Sequence, residues 1–125
     1  MTRSSAPSQR MLRAGELIRH ALADILLRND VSDPELERFI VTVNEVQMSP
    51  DLGVATAYVR AVKGGDNALR ALDRNRRYIR GLLAPKVDMK FMPELRFRLD
   101  TATDYASKID ELLDSPKVAQ DLTKD

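Results

Sequence analysis

The apolar residues of this chain change their spacing several times, and this alternation constrains the fold more than any single motif. From about Gln9 to Asn29 they recur three and four residues apart, which is typical of an amphipathic helix. From Phe39 to Met48 and from Val54 to Val62 the composition instead predicts strands. Turn residues fill Ser49 to Gly53 between them, so the two strands are expected to form a hairpin.

The first predicted strand does not keep a single parity. Val43 belongs to one face by alternation, whereas Val46 and Met48 belong to the other. A bulge, or burial of both faces near the end of the strand, would account for the change. In the second strand Ala55 and Ala57 make one face small, which would let a helix approach closely.

A second helix is predicted after the hairpin. Gly64 and Gly65 break the strand, Asp66 is a candidate N-cap, and Pro85 ends the helix after about Ala84. Its apolar spacing is interrupted around Asn75, which predicts a kink or a change of packing partner. Asparagine tolerates a left-handed backbone better than most residues.

The last elements are a third strand and a short helix. Apolar residues alternate from Val87 to Leu99, with an interruption at Pro93, and a helix is expected from Asp104 to Leu113. The three phenylalanines fall on apolar faces and are expected in the core: Phe39, Phe91 and Phe97. The predicted buried side of the second helix includes Ala68, Leu69, Leu72, Ile79, Leu82 and Leu83.

These elements predict one α+β domain of order α-β-β-α(kinked)-β-α, with a three-stranded sheet covered by helices on one face. The domain is expected to span residues 9–113, between a flexible N-terminus (1–8) and a polar, acidic tail (114–125).

Charge is segregated along a chain whose net charge is only +1. Between Arg70 and Arg80 five arginines face a single acid, Asp73: Arg70, Arg74, Arg76, Arg77 and Arg80. Residues three and four apart share a helix face, so the arginines would form a ridge whose guanidinium groups can hold phosphates bidentately. Lys86 and Lys90 could extend this ridge. The alternative is a solvated helix face; because acids are scarce nearby, the pattern favours nucleic acid.

Other cations are ambiguous. Arg96 and Arg98 share the polar face of the third strand and could contact RNA or pair with Glu45 or Asp100. The arginines of the first helix are expected to be solvated, with a second RNA contact as the less favoured interpretation: Arg10, Arg13 and Arg19.

The composition argues against catalysis. His20 is the only histidine, there is no cysteine, and no phosphate-binding GxxxxGK[ST] motif occurs. We therefore expect a non-enzyme with no cofactor and no metal. No apolar run reaches the ~20 residues that span a bilayer, and the first residues lack the apolar core of a secretory signal. A soluble cytoplasmic protein is expected.

Four short segments, in this order and spacing, make the chain resemble the bacterial ribosome-binding factor A family of small-subunit maturation factors. They are Asp33-Pro34-Glu35-Leu36, Ser49-Pro50-Asp51-Leu52-Gly53-Val54-Ala55, Tyr78-Ile79-Arg80, and Pro93-Glu94-Leu95-Arg96-Phe97 with Asp100. The resemblance runs from about Arg10 to Leu113.

The resemblance implies a KH-like (type II) fold without the GxxG loop of ordinary KH domains. In the family an Ala-x-Gly interruption bends the helix, and the matching positions here are Asn75, Arg76 and Arg77. It also implies a monomer that binds small-subunit rRNA and free 30S subunits late in maturation, with a maturation GTPase as a possible partner in its release. The predicted RNA-binding residues are Arg70, Arg74, Asn75, Arg76, Arg77, Arg80, Lys86 and Lys90.

Two other functions stay open at this point. The arginines could contact an acidic protein surface, or the chain could bind single-stranded RNA in general, which its few aromatic residues disfavour. Tyr78 could stack on a base or pack on its own helix. Salt dependence separates RNA from a protein partner, because each neutralised phosphate steepens the loss of affinity with salt.

Overall fold

The helices and strands follow the predicted order in the computed structural model, which describes residues 6–100. They are α1 (Gln9–Leu27), α2 (Pro34–Glu37), β1 (Val41–Met48), β2 (Val54–Ala61), α3 (Gly65–Arg74), α4 (Arg76–Leu83), a 3-10 turn (Ala84–Lys86) and β3 (Glu94–Leu99). The predicted last helix, Asp104 to Leu113, and the acidic tail lie outside the described residues.

The sheet has the order β1-β2-β3, with β1 and β2 antiparallel and β2 and β3 parallel. Helix α1 packs on β1, and α3 and α4 both contact β3. Alternate residues of β2 and β3 are buried beneath these helices, as Ala57 of β2 and Phe97 of β3 show, while Arg96 and Arg98 are exposed. The α+β architecture with one covered sheet face is therefore confirmed.

The predicted irregularity in β1 is a bulge. Val43 is opposite Val59, but the next paired residue is Glu45, opposite Tyr58, which leaves Asn44 as the extra residue. Val43 and Val46 are both buried although they lie three residues apart. The bulge thus resolves the change of parity in the sequence.

Small residues in β2 and in α1 let the sheet and the helices pack closely. Ala55 and Ala57 have no exposed surface. A Cβ on Gly15 would lie 2.5 Å from the carbonyl oxygen of Val46, so only glycine allows α1 this near to β1. The small face predicted for β2 is confirmed.

The start of α3 differs from the prediction. Gly64, with φ +62°, is the N-cap and has no side chain to accept a hydrogen bond, whereas Asp66 lies inside the first turn. A Cβ on Gly64 would lie 2.8 Å from Cε1 of Phe39, so the space also requires glycine. The assignment of Asp66 as N-cap was therefore wrong; a carboxylate in the first turn still favours the helix through its dipole.

The third strand is shorter than predicted and begins at Glu94 rather than at Val87. In the parallel register Glu94 is opposite Val54, the first residue of β2. Residues before Glu94 would have to pair with the turn Ser49–Gly53, which is not extended, so the alternating segment 87–93 has no strand to join.

The shortened strand changes the burial of the aromatic residues. Phe97 is buried and Phe39 is half-buried, but Phe91 is 75% exposed. The expectation that Phe91 belongs to the core was wrong, because it lies in the irregular segment before β3. Leu82 is half-buried rather than buried, whereas its neighbour Leu83 is in the core.

Candidate nucleic-acid interface

The predicted arginine helix is divided at Asn75 into α3 and α4. Ala71 and Leu72 of α3 and Ile79 and Leu83 of α4 are buried and fix both helices on the core. The opposite side exposes all five arginines of the cluster: Arg70, Arg74, Arg76, Arg77 and Arg80. The predicted single ridge is thus two short ridges that meet at the break.

The break at Asn75 is held by a carboxylate from α2. Asp33 Oδ2 accepts hydrogen bonds from Asn75 Nδ2 at 2.7 Å and from Arg74 Nη2 at 2.9 Å. Asn75 Nδ2 also donates to the carbonyl oxygen of Ala71 at 2.8 Å. The backbone of Asn75 has φ −97°, so the expected left-handed conformation is not used. The interruption of the helix is therefore stabilised by side-chain contacts.

Asp33 has a second role in the same place. Its Oδ1 accepts from the backbone nitrogen of Glu35 at 2.9 Å and caps α2, and only 16% of its side chain is exposed. Hydrogen bonds from Asn75 (the larger contribution) and from Arg74 hold the pKa of Asp33 far below its usual range. The hydrogen bond between Arg74 and Asp33 also raises the pKa of Arg74. Arg74 also lies 3.7 Å from Glu35. Its charge is largely matched within the protein.

Arg80 and Lys86 are likewise engaged in contacts that fix the fold. Arg80 donates from Nε to the carbonyl oxygen of Pro93 at 2.9 Å and from Nη2 to that of Met92 at 2.8 Å. It thereby anchors the segment 87–93 to α4. Lys86 Nζ lies 3.6 Å from Asp24 Oδ2 and connects the end of the helix pair to α1.

Arg76 and Arg77 differ from these residues. Together with Arg80, Glu94 and Leu95 they line a groove of about 450 Å³, the arginine groove. Within residues 6–100 neither Arg76 nor Arg77 forms a hydrogen bond or an ion pair of its own side chain. The nearby Glu94 is paired with Arg96, Nε to Oε2 at 2.7 Å. Two guanidinium groups are therefore free to bind an anion in this groove.

The sequence left open whether Arg96 and Arg98 contact RNA or pair with Glu45 or Asp100, and the structure shows a different pair for Arg96, with Glu94. The pKa of Glu94 is lowered mainly by the hydrogen bond from Arg96, with a smaller contribution from Arg76. The suggested partners of Arg96, Glu45 and Asp100, are not the ones it uses; Asp100 instead accepts from Asn44 Nδ2 at 2.9 Å.

The remaining predicted site residues, Arg70 and Lys90, lie outside the arginine groove. Arg70 Nη1 donates to Asn67 Oδ1 at 3.2 Å, a neutral partner, and Arg70 forms no ion pair with the other described residues. Lys90 is in the segment 87–93 and lies over the ring of Phe91, 5.5 Å from its centroid. Lys90 lines another groove, next to α1, and is not part of the arginine groove.

Tyr78 and His20 are both at the surface. Tyr78 is exposed between the arginines of α4 and is accessible for stacking. His20 Nε2 lies 3.6 Å from Glu16 and is mostly exposed, in no enclosed cleft. Within residues 6–100 there is no group of three or more side chains that could hold a metal ion, and no helix is long and apolar enough to cross a membrane.

Two features of this surface were missed from the sequence. The contact between Asp33 and Asn75 joins residues 42 positions apart, which no local periodicity can reveal. The only signal was the position of Asp33 before Pro34, which indicates an N-cap but not a second partner. The exposure of Phe91 could have been suspected from Pro93, which weakens any strand around it.

The comparison with known families shows which family the chain belongs to. The family model described as Ribosome-binding factor A matches residues 10–113. The chain belongs to the ribosome-binding factor A family. A family member from Chelativorans sp. is 54% identical over 121 residues, covering 95% of this chain and 91% of that protein. One from Rhizobium johnstonii is 52% identical over 130 residues, covering 100% and 97%.

Solved structures of the family have the same fold. The crystal structure of ribosome-binding factor A from Thermus thermophilus is 32% identical with a TM-score of 0.62, covering 71% of this chain and 94% of that one. A homology model of the Thermus thermophilus protein, fitted into a cryo-electron-microscopy map of a 30S complex, is 35% identical with a TM-score of 0.59, covering 70% and 92%. The KH-like architecture expected from the resemblance is confirmed.

Proposed function

We propose that this protein binds the immature 30S ribosomal subunit through rRNA phosphates and supports late maturation and processing of small-subunit rRNA. The observation that carries the proposal is the arginine groove, where the side chains of Arg76 and Arg77 are exposed and form no hydrogen bond or ion pair with residues 6–100. Membership of the family and the 30S complex of the Thermus relative support the choice of partner.

The predicted site residues divide into two groups in this proposal. Arg70, Arg76 and Arg77 contact phosphates, because none of them forms an ion pair with residues 6–100. The others shape or extend the surface: Arg74, Asn75, Arg80, Lys86 and Lys90. Arg74 can still contribute if RNA competes with Asp33 for its guanidinium group. Contacts of this kind position a folded RNA and do not read its sequence.

The mechanism is selective binding and not catalysis. A monomer that binds one rRNA conformation more tightly than another shifts the population toward it and leaves when the other becomes favoured. Processing enzymes then act on the favoured conformation, and a maturation GTPase is a candidate for triggering release. The proposed partner implies that the protein works in the cytoplasm.

The test is co-sedimentation with purified 30S subunits through a sucrose cushion. Replacing Arg76→Glu and Arg77→Glu together should abolish co-sedimentation and leave the melting temperature nearly unchanged, because both side chains are exposed. The matched control is Arg38→Glu with Lys63→Glu, which makes the same change of net charge at exposed positions outside the arginine groove. Equal co-sedimentation of both double variants would contradict the site.

The processing role needs a second experiment. In cells that lack the chromosomal copy, wild type should restore mature rRNA ends and the Arg76→Glu, Arg77→Glu variant should not. The alternative partner, an acidic protein surface, is recognised by a shallow dependence on salt, because few counterions are released when protein charges meet.

A further inference from the structure

A second groove lies beside α1 and is lined by residues of that helix, of the turn before β2 and of the segment 87–93. It has a volume of about 570 Å³, within the range of small-ligand sites. Its lining includes three cations and three apolar side chains: Arg10, Arg13, Lys90, Leu17, Met89 and Phe91. We call it the Phe91 groove. It shares no lining residue with the arginine groove.

Phe91 is the most unusual residue of this groove. It is a large aromatic side chain that is 75% exposed although it was expected to be buried, and Leu17 of the same groove is also exposed. The segment that carries Phe91 is held in place, because Arg80 binds the carbonyl oxygens of Met92 and Pro93. The ring is thus presented to solvent by a fixed backbone.

The cations around the ring lack partners. Within residues 6–100, Arg10 and Arg13 form no hydrogen bond or ion pair of their side chains, and the contact of Lys90 is with the ring of Phe91. A cation over an aromatic ring is a weak interaction at an exposed site, so Lys90 can also reach a nearby anion.

The two acids of the groove do not cancel these charges. Asp51 Oδ1 accepts from Ser49 Oγ at 2.7 Å and from the backbone nitrogen of Gly53 at 2.9 Å, so this carboxylate is used by the turn before β2. Asp88 is the other acid. Three cations against two acids leave an excess of positive charge beside an exposed ring.

We propose that the Phe91 groove binds an unpaired nucleotide of RNA, with its base against Phe91, Leu17 and Met89 and its phosphates near Arg10, Arg13 and Lys90. This inference rests on the proposed function and adds a second contact, to a single-stranded part of the RNA. An aromatic platform flanked by a positively charged groove is the combination by which proteins hold unpaired nucleotides. Phosphates alone would not require the exposed ring.

The arrangement also connects the two grooves. Arg80 lines the arginine groove and anchors the segment whose preceding residues line the Phe91 groove. A folded RNA held at Arg76 and Arg77 could therefore place an adjoining single strand in the Phe91 groove. Because the two grooves are lined by different residues, a substitution in one groove should remove its contact and leave the contact in the other groove intact.

The test compares two probes that carry the same charge: a fluorescein-labelled decauridylate and an abasic ribose-phosphate decamer. Fluorescence anisotropy with the full chain should show that decauridylate binds about 5- to 150-fold more tightly, the range expected for one base stacked on an aromatic ring. Phe91→Ala should bind both probes equally, and Phe91→Tyr should keep the preference. Ile40→Ala, an exposed apolar residue outside the groove, is the matched control.

The cations are tested with the same probes. Replacing Arg10→Gln and Arg13→Gln should lower the slope of log Kobs against log salt by about 1.4, since each contact with a single strand contributes ~0.7. Unchanged melting temperatures would show that the exposed substitutions leave the fold intact.

Three results would overturn the nucleotide site: no binding of decauridylate by wild type, equal binding of both probes by wild type, or a preference that survives in Phe91→Ala. If Phe91→Ala also lost 30S binding in any of these cases, the groove would contact a ribosomal protein instead. Co-sedimentation of wild type with 30S is measured in parallel. If wild type co-sediments with 30S, the proposed function stands without the nucleotide site. If wild type does not co-sediment, the proposed function is refuted.

Discussion

The division of the arginines into free and engaged groups predicts how 30S binding depends on salt. Arg70, Arg76 and Arg77 have no carboxylate partner among residues 6–100, whereas Arg74 is paired with Asp33. Each phosphate contact contributes a slope of ~0.7–0.9 in a plot of log Kobs against log salt, so three free arginines supply about 2–2.7 of the total. Other contacts on the subunit add to this value.

Replacing Arg76→Gln and Arg77→Gln should therefore lower the slope by about 1.4–1.8, with no change in melting temperature. Arg74→Gln should change the slope less, because RNA gains little from a guanidinium group that must first leave Asp33. It should lower the melting temperature instead, since Asp33 loses a partner at a half-buried position. Glutamine removes the charge and keeps a polar amide, although its side chain ends two atoms earlier than that of arginine.

The assay is titration of labelled protein with 30S subunits at several salt concentrations, with thermal unfolding of each variant in parallel. The Arg38→Gln, Lys63→Gln variant is the matched control and should keep the wild-type slope. Equal slope changes for Arg74→Gln and for each of Arg76→Gln and Arg77→Gln would refute the reasoning, because they would show that pairing with Asp33 does not withdraw a charge from the RNA.

Two further predictions concern the fold. Leu83→Ala should lower the free energy of unfolding by about 2–5 kcal/mol, because removing a side chain that is only 1% exposed leaves a cavity. Leu82→Ala should lower it less, because the side chain of Leu82 is half-buried. Chemical denaturation measures both values, and equal losses would contradict the assigned faces of α4. Asp33→Asn should lower the melting temperature at neutral pH, and the difference from wild type should shrink as the pH falls below about 4. The pKa of Asp33 is depressed in the folded state, so its stabilising effect is present above the ordinary value and is lost on acidification. A difference that does not change between pH 7 and pH 2 would show that the charge of Asp33 does not matter.

The order of elements could be predicted because each leaves a local mark in the sequence. The change of parity between Val43 and Val46 indicated a bulge, and the interrupted spacing after Leu72 indicated the break at Asn75. Both features lie within a few residues of their cause. Local spacing alone was therefore enough to find them.

The errors arose where the decisive contact is distant in sequence. The segment from Val87 has the alternation of a strand, but β2 begins too late to pair with it. Similarly, the arginine cluster was recognised from its composition, yet the sequence could not show that Asp33 and the carbonyl oxygens of Met92 and Pro93 engage part of it. Whether an arginine side chain is available to bind an anion therefore depends on contacts that only the folded chain makes.

The engaged residues give the free ones their position. Asn75, immediately before Arg76, is fixed to Asp33, and Arg80, one turn after it, is fixed to the segment before β3. Arg76 and Arg77 therefore extend from a turn of helix that is held at both ends. Less backbone entropy is lost when such residues bind than when they extend from a mobile loop. In the proposed interface, the arginines with internal contacts therefore hold the free ones in position for RNA.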